Sequence, residues 1–109
     1  MSGYLREDVL TERGYMQNPK VNWNDAKMAT SYANVCNALS TREEVALLFG
    51  TRQSMNAGRN ELEVKLSDRI ILNPFAAKRL LFLLNRVLEE YETRYGPLQI
   101  QELENIKKQ

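Results

Sequence analysis

Histidine is absent from this sequence, and cysteine occurs once, at Cys36. The usual general base for a serine or cysteine nucleophile is therefore missing, together with the commonest transition-metal ligand. A single thiol supplies too few ligands for zinc, so neither a metal nor a cofactor is expected. Cys36 sits in Tyr32-Ala33-Asn34-Val35-Cys36-Asn37, which reads as a strand rather than an activated-thiol motif. The carboxylate pairs Glu43-Glu44 and Glu89-Glu90 read as solvated surface charge. Gly50 and Gly58 flank a polar stretch, but neither belongs to a phosphate-cradling glycine motif. Arg52, Arg59 and Arg69 are the residues that would meet a phosphate backbone, were nucleic acid a partner. The expectation is a protein that binds and does not catalyse.

Fifteen basic and fourteen acidic residues leave a formal charge of +1, and no block of like charge marks a polyanion-binding arm or an acidic tail. One cysteine excludes an intramolecular disulfide and suits a reducing cytoplasm. Arg6, Glu7, Asp8, Glu12 and Arg13 interrupt the first residues, so a secretory signal is not expected there. No stretch approaches the roughly 20 apolar residues of a membrane span. With 43% hydrophobic residues in 109, one core is affordable but hardly two, and a chain of this size gains noticeably from self-association.

Three regions follow from the pattern of residues. Residues 1–29 read as an irregular arm, with an optional helical turn over 7–13 and Trp23 as the ring that anchors the arm. Residues 30–96 read as the folded α+β domain, an antiparallel sheet of three or four strands packed on one long C-terminal helix. Strands are expected over 30–39 and 43–51, the second with Val45, Leu47 and Phe49 on one face. Ala46 and Leu48 face the other way, so both faces of the sheet need cover. Residues 52–60 read as a mobile polar loop. Leu62, Val64 and Leu66 alternate with Glu61, Glu63 and Lys65 as in a half-buried strand. Ser67-Asp68-Arg69 then breaks the run before Ile70-Ile71-Leu72, which favours one bent strand with a bulge. Residues 97–109 read as a tail whose pattern suits a strand, a turn of helix or a partner-binding arm.

The sharpest local signals bound the helix. Asn73-Pro74 is an N-cap followed by a proline at the first helical position, and Gly96-Pro97 is the matching stop. Within 74–95, Ala77, Leu80, Leu81, Leu84, Val87, Leu88, Tyr91 and Tyr95 share about a third of the circumference and are expected to cover the sheet. Phe75 and Phe82 break that pattern, projecting roughly 140° to 160° away from the stripe. Either a tail of the same chain folds over them or a partner does, since aligned exposed rings resemble an interface awaiting its other half. Phe75, Phe82, Arg79 and Trp23 are the candidate interface residues.

Tyr32-Ala33-Asn34-Val35, Glu43-Glu44-Val45, Leu48-Phe49-Gly50, Arg69-Ile70-Ile71-Leu72-Asn73-Pro74, Ala76-Ala77-Lys78-Arg79-Leu80 and Tyr91-Glu92 with Gly96 form a specific combination. Over about residues 31–96 the chain resembles a family of small uncharacterised bacterial proteins, a domain of unknown function. That resemblance implies a bacterial-type origin and no activity. The steps Asn73-Pro74-Phe75 and Gly96-Pro97-Leu98 are also faintly similar to SecB-like export chaperones, which implies only element order and a tendency to oligomerise. The expected role is an accessory or protein-binding subunit, self-associating or part of a larger assembly. A nucleic-acid-linked regulator and a chaperone-like module stand as alternatives, and no membrane partner is expected.

Overall fold

The computed structural model describes residues 20–100, together with the backbone of two short strands before them. Those strands, β1 (Leu10–Thr11) and β2 (Gly14–Tyr15), pair antiparallel. A strand pair thus begins where the sequence suggested an optional helical turn; the rest of 7–13 and all of 101–109 lie outside the described residues. A three-stranded sheet follows, built from β3 (Val35–Ser40), β4 (Val45–Asn56) and β5 (Glu61–Leu72) in the order β3-β4-β5, all antiparallel. The chain ends its regular structure in α1 (Pro74–Tyr95). It divides into two compact units, residues 1–78 and 79–109.

Each turn has a local cause. Between β3 and β4 the Thr41 hydroxyl accepts from the amides of Glu43 and Glu44, each at 3.2 Å, and the Thr41 amide donates to the Glu44 carbonyl. Between β4 and β5 the Arg59 amide donates back to Asn56, and Asn60 takes a left-handed φ of 54°. Asparagine is among the few side chains that tolerate that conformation. The polar stretch 52–60, expected as a mobile loop, is therefore mostly strand. β4 runs through Asn56, and residues 57–60 alone make the turn. The ladder explains this: Arg52, Ser54, Met55 and Asn56 each oppose a residue of Glu61–Leu72, so pairing with an alternating neighbour supplies the order that the segment's own pattern lacks.

The break at Ser67-Asp68-Arg69 is a bulge in one continuous strand, as its sequence suggests. Phe49 opposes Asp68 while Gly50 opposes Leu66, leaving Ser67 as the extra residue. Gly50 is the buried residue here, and a Cβ on it would strike the Lys65 carbonyl oxygen and come within 2.9 Å of the Leu66 Cα. Only a residue without a side chain admits so close an approach of two backbones.

Because cross-strand partners share a face, the register sorts the apolar residues. Cys36, Ala38, Val45, Leu47, Phe49, Ile70 and Leu72 line one side, and Val35, Leu39, Ala46, Leu48, Leu66 and Ile71 the other. Both faces are apolar, as expected. Among the described residues no apolar side chain is buried.

The ends of α1 follow the two dipeptides. The Ala76 amide donates to Asn73 Oδ1 at 2.7 Å, satisfying a first-turn donor. At the other end Gly96 adopts φ 99° and its amide donates to the Glu92 carbonyl at 2.9 Å, an αL stop. The Leu98 amide donates to Glu92 Oε2, which ties the chain leaving the helix to its last turn.

Candidate interaction surfaces

No residue of α1 is buried. Of the stripe expected as core, Leu81, Leu84, Val87, Leu88, Tyr91 and Tyr95 are exposed, Leu84 by 49% and Tyr95 by 67%, while Ala77 and Leu80 are half-buried. Phe75 and Phe82, on the far side of the helix, are exposed by 68% and 56%. Arg79 is half-buried. The two phenylalanines project outward as their spacing indicates, but they no longer stand apart from the stripe in exposure. The helix is apolar on two faces at once, a composition that belongs to a helix with neighbours on both. At its C-terminal end the Tyr91 and Tyr95 rings lie 4.9 Å apart, and the Arg94 guanidinium sits 6.0 Å from the centre of the Tyr95 ring.

The sheet is open as well. Leu39, Leu66 and Ile71 on one face and Ile70 on the other are exposed large apolar residues. Trp23, read from the sequence as the anchor of the arm, is 48% exposed and so seals no core. Ala29, Ser31 and Ala33 border a shallow depression with Phe49, Asp68 and Ile70, so the segment before β3 runs beside that face.

The three arginines considered for phosphate contact are spread along the hairpin. Arg69 faces Leu48 on β4, close to Glu44, and Arg52 faces Val64, on the same side of the sheet as Arg69. Four β4 positions separate their rungs, roughly 13 Å. Arg59 lies beyond both, in the terminal turn. No shared pocket gathers them. Among the described residues no cluster of three histidine, cysteine, aspartate or glutamate side chains could hold a metal, and Cys36 is an exposed thiol. Among the described residues no helix is long and apolar enough to cross a membrane.

One pattern inside α1 lies within the broader stripe expected as core. Ala77, Leu81, Leu84, Leu88, Tyr91 and Tyr95 repeat at intervals of four and three, the seam spacing of a coiled coil. That signal was legible in the residues and was absorbed into the broader core stripe.

Fold and surfaces define a class: a small α+β protein with an antiparallel sheet, one capped C-terminal helix, and apolar faces open on both. A family described as a protein of unknown function (DUF3467) matches residues 6–100, and the chain belongs to it. The match reaches beyond the 31–96 over which the sequence shows the likeness. No curated protein and no solved structure matches the chain.

Proposed function

We propose that this protein is a non-enzymatic, protein-binding accessory subunit that works self-associated or within a larger assembly. The observation that carries this reading is that, among the described residues, no apolar side chain is fully buried and most of the large ones on α1 are exposed. Isolated helices are marginal in water, and most helical stability comes from burying an apolar face. Ordering one backbone residue costs about 1–2 kcal/mol, and burying a large aliphatic or aromatic side chain returns about 1.5–3 kcal/mol. Side chains left half-buried or exposed return only part of that, and a second surface would supply the rest. The setting that suits one exposed thiol is a reducing cytoplasm.

Light scattering across a concentration series tests this directly. The expected result is a dimer or larger species at micromolar concentration. A folded, strictly monomeric chain at high micromolar concentration would overturn the self-association form of the reading. Titration with DNA and RNA at two salt concentrations separates the alternative in which Arg52, Arg59 and Arg69 contact phosphates, since that binding must weaken steeply with salt.

A further inference from the structure

We propose that two copies of this chain pair through α1, antiparallel, with Asn85 at the two-fold axis; this rests on the self-association reading and specifies its geometry. The seam Ala77, Leu81, Leu84, Leu88, Tyr91, Tyr95 is the apolar stripe each copy offers, and the described part of each chain leaves its large side chains exposed. With half of each large side chain accessible, the seam offers roughly 500–600 Å² per chain, so about 1,000–1,200 Å² for the pair, which just reaches the size of a specific interface.

Charge fixes the direction. Lys78 and Arg79 lie in the first turns of α1, and Glu89, Glu90 and Glu92 in the last two beside Arg94, with no acidic residue in the first turn. This distribution opposes the helix dipole, which favours acids at the N-terminus and bases at the C-terminus. An antiparallel second helix accounts for it. The positions flanking the seam on one side are Lys78, Asn85 and Glu92, seven residues apart. Rotation about an axis at Asn85 sets Lys78 level with Glu92 of the other copy, twice, and Asn85 level with Asn85. A parallel pair would instead leave Lys78 and Glu92 of the two copies about 21 Å apart along the seam. Phe75 and Phe82, on the back of the helix, stay outward in this arrangement.

Cysteine pairing in the full-length chain, with Cys36→Ser as background, tests the geometry. Asn85→Cys is expected to oxidise to a covalent dimer at protein concentrations where Thr93→Cys, on the back of the helix, stays largely uncrosslinked. Lys78→Cys and Glu92→Cys are each expected to crosslink poorly alone and well when mixed. Charge reversal gives a second readout. Lys78→Glu should weaken dimerisation about tenfold, and adding Glu92→Lys should restore part of that loss. Within one helix the two positions are about 21 Å apart and cannot touch, so restoration must act between copies. A dimer by light scattering with no crosslink at Asn85 and no restoration would overturn the antiparallel pairing while leaving self-association intact. A monomer by light scattering would remove both.

Discussion

At the scale of single residues, Gly50 carries more constraint than any apolar side chain described. It sits where β4 meets the bulge of β5, and the space its Cβ would need is occupied by the backbone of Lys65 and Leu66. Backbone cannot rotate away as a side chain end can. Gly50→Ala is therefore expected to destabilise the fold by about 2–3 kcal/mol, the upper part of the usual range for single substitutions. Urea denaturation monitored by circular dichroism measures this, and an unchanged midpoint would mean that the bulge relaxes. Asn73 offers a milder case. Its side chain satisfies one first-turn amide, so Asn73→Ala should cost about 1 kcal/mol, and Asn73→Asp should be tolerated because aspartate caps equally well.

At the scale of elements, the helix shows what a sequence can and cannot state. Its start and stop were legible to the residue because capping is local chemistry: Asn73 reaches three residues ahead, and Gly96 reaches back to Glu92. The bulge was legible too, because Ser67-Asp68 interrupts an alternation visible on both sides of it. The stretch 52–56 was not, because its order comes from rungs with Glu61 to Val64, and a polar strand carries no trace of its partner. For the interaction surface, periodicity revealed that α1 has an apolar side and two rings opposite, but not which side is covered or by what. Composition marks a face for burial, and the covering surface is written in another segment or another copy. Truncation separates the two faces. Leu84→Ala is expected to lower stability by about 2–3 kcal/mol if the seam is buried in the pair, whereas Phe82→Ala should cost less than about 1 kcal/mol. The reverse order, read from denaturation midpoints, would move the interface between copies to the phenylalanine side.

For the whole molecule, folding and association are expected to be one event, because the apolar side chains of sheet and helix find little burial within a chain. The melting temperature should then rise with protein concentration, as it does whenever the folded state is linked to binding. Circular dichroism melts over a hundredfold concentration range check this, and a melting temperature independent of concentration would argue for a self-sufficient monomer. The sheet adds a gradient of its own. β3 lies along only the first part of β4, from Val45 to Gly50, and Asn34 closes that shared stretch by accepting the Arg52 amide on its side-chain oxygen. Past that point the hairpin continues as two strands alone to the turn at residues 57–60. A two-stranded ribbon is marginal in water. In deuterium oxide, the β4 amides from Val45 to Gly50 should therefore take up label slowly, and those from Gln53 to Asn56 should be replaced early, which makes the outer hairpin the first part of the sheet to open.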